Sequence, residues 1–132
     1  MTLRRAADLV RAGLVAPAAE AELAAVAARY AVAVPPLLAG LIAPGDAADP
    51  IGLQVLPDAA ELHQAADEAA DPIGDHAHAP LPGIVHRYPD RVLLTPAFSC
   101  AVYCRFCFRR ERVGPSGDGG GLSPAELAAA LA

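Results

Sequence analysis

The chain has 132 residues, enough for one ordinary domain or part of a larger one, and a formal net charge of −5, which excludes a general nucleic-acid binder. It is 55% hydrophobic, so a core can form, but much of that fraction is alanine and there is no tryptophan. All ten basic residues are arginine, and six of them (Arg87, Arg91, Arg105, Arg109, Arg110, Arg112) fall in one stretch near the cysteines; a local basic pocket in an acidic chain suits a small anionic ligand, with a solvated basic face as the plain alternative.

Taken in chain order, residues 2–14 place Leu3, Ala6, Ala7, Val10 and Leu14 at helical spacing, with Gly13 loosening the end. Asp8 and Arg11 interrupt any early apolar run, so no secretion signal is read there. Residues 17–32 form the second expected helix, with Pro17 at its start, acidic Glu20 and Glu22 in the first turns, and Pro35-Pro36 ending it. Residues 23–42 are apolar enough to raise a membrane question, but Arg29 and the proline pair argue against a spanning helix. Residues 37–43 are a candidate short third helix closed by Pro44-Gly45, and residues 43–57 are rich in turns.

Asp58 and Glu61 have capping-box spacing and predict a helix opening there and running to about residue 70. Residues 71–82 (DPIGDHAHAPLP) read as a loop, its Asp-Pro pair shaping a turn as Asp49-Pro50 does earlier. GIVHRY and RVLLT, separated by Pro89-Asp90, predict two strands, as a hairpin, with the second running toward Cys100. Residues 114–121 (GPSGDGGG) read as a flexible linker, and Ser123 with Glu126 forms a second capping-box pattern with Pro124 at the first helical position. The order strand, cysteine loop, glycine loop, helix is the opening of a β/α unit without a following parallel strand. The expected organisation is an α/β chain: a helical N-terminal region over residues 1–82, then the front of a larger α/β domain over residues 83–132.

All three cysteines lie within eight residues in CAVYCRFCFRR: Cys100, Cys104 and Cys107. An odd cysteine count argues against a secreted disulfide framework and for the cytoplasm. Clustered thiolates bind soft metals. A closed zinc site needs four ligands, so His76, His78 or His86 would have to supply the fourth. An ordinary [4Fe–4S] cluster also takes four cysteines, so three leave one iron open. Loop histidines more often only make hydrogen bonds.

The C-x3-C-x2-C spacing with Phe106 before the last cysteine resembles the signature of radical S-adenosylmethionine (SAM) enzymes. That resemblance implies a [4Fe–4S] cluster held by Cys100, Cys104 and Cys107, with S-adenosylmethionine on the open iron and its reductive cleavage giving a 5′-deoxyadenosyl radical. Residues 71–94 (DPIGDHAHAPLPGIVHRYPDRVLL) followed by CAVYCRFCFRR resemble, more narrowly, the lysine 2,3-aminomutase family, from about residue 49 to 113. The resemblance implies the opening of a radical SAM partial TIM-type barrel, truncated here, and a pyridoxal 5′-phosphate-dependent 1,2-amino migration on lysine or a related amino acid, free or within a protein. It implies Phe106 beside the adenine, with core packing as the alternative, and Arg87, Tyr88 and Arg91 in the region facing pyridoxal phosphate. Arg109 matches the position that binds the substrate α-carboxylate; surface ion pairs with Asp90 or Glu111 are the alternative for the arginines, and Arg105 and Arg110 receive no role. The family further implies an external electron donor and a homo-oligomer.

The chain departs from the family in having no lysine to carry pyridoxal phosphate as a Schiff base, and in lacking the glycine-rich motif expected after the next strand. The expectation is therefore a segment inactive alone. The two competing readings are a small zinc or iron–sulfur binding module without catalysis and an inactive truncated product.

Overall fold

A computed structural model of the chain describes residues 1–114 and 121–132; the predicted glycine linker falls largely on 115–120, outside the described residues. Helix α1 spans Ala6–Arg11, shorter than the expected 2–14. Leu3 leaves the helix to form an antiparallel bridge with Val34, with paired N–H to C=O bonds of 2.9 Å. The side chain of Asp8 turns back over the start of α1 and accepts from the Arg5 backbone N–H (3.2 Å) and Arg5 Nη2 (3.1 Å), while Arg11 donates to it from the next turn. Leu9, fully buried, carries the helix onto the core.

A single 3-10 turn at Pro17–Ala19 leads into α2, Glu20–Arg29, which buries Leu23 and Val26. The helix stops at Arg29 rather than at residue 32. Residues 30–34 (YAVAV) are all buried, and Tyr30 already has extended backbone. Their neighbours alternate with the period of two that extended chain imposes. Val32 and Val34 join Leu9, Leu14, Ile42 and Val55 in the main core, whereas Ala31 and Ala33 pack on Tyr103 of the cysteine loop. Burial on two faces outweighs the weak helical preference of this run, because each face removes apolar area from water at about 25 cal/mol per Å².

The rest of the N-terminal half is short turns. Helix α3 is Pro36–Ala39 with proline at its start, and α4, Gly52–Val55, lies inside the stretch expected to hold only turns. The nearly buried carboxylate of Asp49 accepts from the backbone N–H of Gly52 (2.6 Å), Ile51 (3.0 Å) and Ala43 (3.2 Å), so Asp49-Pro50 does shape a turn. The capping box at Asp58 and Glu61 forms, with Ala60 N–H donating to Asp58 and Asp58 N–H to Glu61, but only one 3-10 turn follows, Ala59–Leu62. Residues 63–70 offer alanine as their only apolar side chain and are exposed throughout. A cap without an apolar face to bury does not sustain a helix.

The hairpin forms as expected: β1, Ile84–Tyr88, pairs antiparallel with β2, Arg91–Leu94, in the register Ile84↔Leu94, Val85↔Leu93 and Tyr88↔Arg91, with an irregularity between Val85 and Tyr88. The final helix α5, Pro124–Leu131, also forms with its reciprocal Ser123–Glu126 cap (Ser123 N–H to Glu126 Oε2, 2.8 Å) and buries none of its residues. Strand, cysteine loop and helix therefore follow one another in the expected order. The sheet among the described residues is this antiparallel pair alone, which is not yet a β/α barrel unit. No helix among the described residues is long and apolar enough to cross a membrane.

Hydrogen bonding from the Arg5 side chain holds the Asp8 carboxyl at about 2, against 3.8 for an ordinary aspartate. A depressed carboxyl pKa contributes stability that is complete above pH 3.8 and is lost as the pH falls toward 2. Thermal melts of Asp8→Asn should therefore show a shallower loss of stability over that acid window than the parent chain, with the two converging at its lower end.

Candidate functional site

The cysteine loop is seated on the N-terminal half by one aromatic, one arginine and one glycine. Tyr103 is buried against Ala31 and Ala33. Gly114 closes the loop, its N–H donating to Phe98 C=O (2.8 Å) at a φ of +95°, and a Cβ there would lie 2.2 Å from the Ala31 Cβ, so only glycine fits. Arg105, between Cys104 and Phe106, is almost completely buried. Its Nε and Nη2 donate to Glu61 Oε1 and Oε2 (3.0 and 2.6 Å), its Nη1 to Ala31 C=O (2.9 Å), and its backbone N–H to Gln54 C=O (2.8 Å). The planar fork of guanidinium meets a carboxylate in the bidentate geometry that makes such pairs strong.

This seating presents the sulfurs outward. Cys100 and Cys104 are exposed, Cys107 is half-buried, and all three are free thiols. Cys107 N–H donates to Cys104 C=O (3.3 Å), so the last two cysteines share one turn. Phe106 is 75% exposed, which rules out core packing for it. Among the described residues no three His, Cys, Asp or Glu side chains converge as a preformed metal cage, and none of His76, His78 and His86 completes one. In donor chemistry the loop fits an iron–sulfur cluster with one iron left open: three soft, accessible thiols and no fourth. Beside it opens a cleft of about 470 Å³ lined by Tyr30, Arg105, Phe106, Cys107, Arg110 and Glu111, among others. For pyridoxal phosphate the fit fails at the attachment point, because none of the 132 residues is lysine.

The arginines divide into three groups. Arg109 donates through Nε to Asp75 Oδ2 (2.8 Å) and lies 4.7 Å over the Phe108 ring. Arg87 reaches the same carboxylate (Nη2 to Oδ1, 3.4 Å) and the Ile73 C=O, so one nearly buried aspartate brings two of the expected binding residues together. Tyr88 and Arg91 stay apart from them, stacked on each other at 4.5 Å with Arg91 also paired to Asp90 (3.1 Å). Around the cleft, Arg110 stacks on Tyr30 (4.5 Å), and Glu111 accepts from Tyr30 Oη (3.1 Å) and Arg29 Nη2 (3.2 Å). Burial pushes the Tyr30 hydroxyl pKa up.

Asp90 is thus a partner of Arg91, while Glu111 serves Arg29 and Tyr30 rather than Arg87 or Arg109. Sequence reasoning missed Asp75, Glu61 and Arg105. Glu61 was legible only as a capping residue, and Arg105 finds it 44 positions away, a separation that no local pattern announces.

No protein-family model matches the chain. Curated relatives do. The chain is 45% identical over 87 residues (66% of its length, 21% of the relative's) to the L-lysine 2,3-aminomutase of Clostridium subterminale, and 36% identical over 99 residues (75% and 21%) to that of Bacillus subtilis. It is 38% identical over 89 residues (67% and 21%) to the glutamate 2,3-aminomutase of Clostridioides difficile. The relatives are thus amino-acid 2,3-aminomutases, and the chain spans about a fifth of their length. Over the matched segment it is homologous to the lysine 2,3-aminomutases.

Removing one partner of a buried ion pair strands the other charge, at a cost of about 3–5 kcal/mol. Glu61→Ala should accordingly lower the unfolding free energy by about 3 kcal/mol in a urea titration, and the thiols should react faster with a thiol reagent as the loop loosens.

Proposed function

We propose that this chain is the cluster-binding segment of a lysine 2,3-aminomutase-like radical SAM enzyme. The observation that carries the reading is the set of three free thiols on one outward-facing loop, in a chain homologous to aminomutases. Cys100, Cys104 and Cys107 would hold a [4Fe–4S] cluster, which with S-adenosylmethionine on its open iron supplies the one-electron reduction that starts radical chemistry.

This chain's own residues do the holding and orienting. The Arg105–Glu61 pair keeps the loop on the N-terminal core while leaving the sulfurs accessible. Phe106 offers an exposed aromatic face at the mouth of the cleft, suited to stacking on a flat base. Arg109 would recognise the carboxylate of an amino-acid substrate, lysine or a related one, and Arg87 the phosphate of pyridoxal phosphate, with Tyr88 and Arg91 beside it on the hairpin. The Schiff-base lysine is not among these residues, so the chain alone should not turn over an amino acid. The reading also implies an external electron donor and a reducing compartment, the cytoplasm, where the thiols stay free.

Anaerobic reconstitution with iron and sulfide should give a brown protein with about four irons per chain. Cys104→Ala should lose the colour and most of the iron. A colourless chain that instead binds one zinc ion would sink the proposal.

A further inference from the structure

We propose that Asp75 is the positioning residue that orients the guanidinium groups of Arg109 and Arg87 toward the oxyanions they bind. The inference deepens the reading above, in which these two arginines recognise a substrate carboxylate and a cofactor phosphate, and it rests on that reading.

Asp75 is nearly completely buried, whereas Arg109 and Arg87 keep 28% and 34% of their side chains exposed. The carboxylate is thus an internal post from which two cations reach toward solvent. It engages only the Nε of Arg109, and among the described residues no protein acceptor meets that residue's Nη1 and Nη2. Those two groups form the end-on edge that accepts a carboxylate or phosphate in bidentate fashion. Phe108 covers one face of the same guanidinium at 4.7 Å, so the open edge is held in a defined plane. Arg87 uses one nitrogen, Nη2, for both Asp75 and the Ile73 C=O.

The post is itself braced. Asp75 N–H donates to Asp71 Oδ1 (2.9 Å) and His76 N–H to Asp71 Oδ2 (2.8 Å), and Gly74 makes the turn between them with a φ of +69°. The His76 amide above all keeps the Asp71 carboxyl below the usual aspartate range, so it stays ionised as the clamp. The stretch DPIGD is therefore a unit: a clamp at Asp71, a turn at Gly74, and the post at Asp75.

The test uses the full chain, without iron, and follows the arginine Nε–Hε resonances by NMR at constant ionic strength during separate titrations with inorganic phosphate and with acetate. The Arg109 and Arg87 signals should shift saturably, while Arg11, paired with Asp8 in α1, should not. The arm with the tighter apparent constant identifies which source of oxyanion the site prefers. Asp75→Asn removes a negative charge, which by Coulomb's law alone would tighten anion binding. Positioning predicts the opposite: weakening by about tenfold, the lower end of the effect of losing a supporting hydrogen-bond partner. Asp75→Glu keeps the charge but displaces the carboxylate by one methylene, and serves if the asparagine variant does not fold; it should weaken binding by several fold. No saturable shift in either arm, or unchanged or tighter binding in a folded variant, overturns the inference. Iron uptake and anion binding are separate readouts, so a chain that fails to take up a cluster yet gives this pattern refutes the radical reading and not the role of Asp75.

Discussion

A guanidinium sits out of water between two cysteines, and the geometry of the site follows from how it is satisfied. Burying an arginine is costly unless its nitrogens find acceptors and the charge finds a counter-charge. Arg105 meets both conditions with groups drawn from three separate parts of the N-terminal half: the Glu61 carboxylate, the Ala31 carbonyl and, through its own backbone, the Gln54 carbonyl. Because Arg105 points inward, its neighbours on the same turn, Cys104 and Phe106, are left exposed. An inward anchor and outward ligands are two consequences of one turn of backbone.

The anchor needs a surface to grip, and residues 30–34 make it. This extended run is a wall with two finished sides, valines toward the helical core and alanines toward Tyr103. The alanines matter as much as the valines. A larger side chain at position 31 would collide with Gly114, where even a Cβ has no room. The helical region is thereby a platform for the cysteine loop, and its short helices rest on a few buried side chains, among them Leu9 on α1, Leu23 and Val26 on α2 and Val55 on α4.

Electrostatics follow the same economy. The concentration of arginine near the cysteines first reads as a bare basic patch, yet acids from earlier in the chain answer much of it: Glu61 holds Arg105, and Asp75 holds Arg87 and Arg109. Aromatic rings take others, with Arg110 on Tyr30 and Arg112 on Phe98. The patch is therefore a set of aimed groups. Aiming matters for recognising a carboxylate or phosphate, because bidentate hydrogen bonding depends on orientation and a freely rotating cation supplies attraction without specificity.

The sequence by itself determined what depends on near neighbours. Both capping boxes and the hairpin at Pro89-Asp90 are settled within four or five residues, and so is the presence of three thiols without a fourth. The family resemblance was legible for the same reason, being carried by contiguous stretches. Only the tertiary structure decided that α2 ends at Arg29 and not at residue 32, since residues 30–34 run extended and bury two faces. It also decided that the helix capped at Asp58 stops after one turn, because residues 63–70 stay exposed and bury no apolar face. And it alone decided which acid holds which arginine: Arg105 finds Glu61 at a separation of 44 residues and Arg109 finds Asp75 at 34. Pairings at that distance have no signature in spacing or periodicity, because they are chosen by which surfaces the packed core brings together.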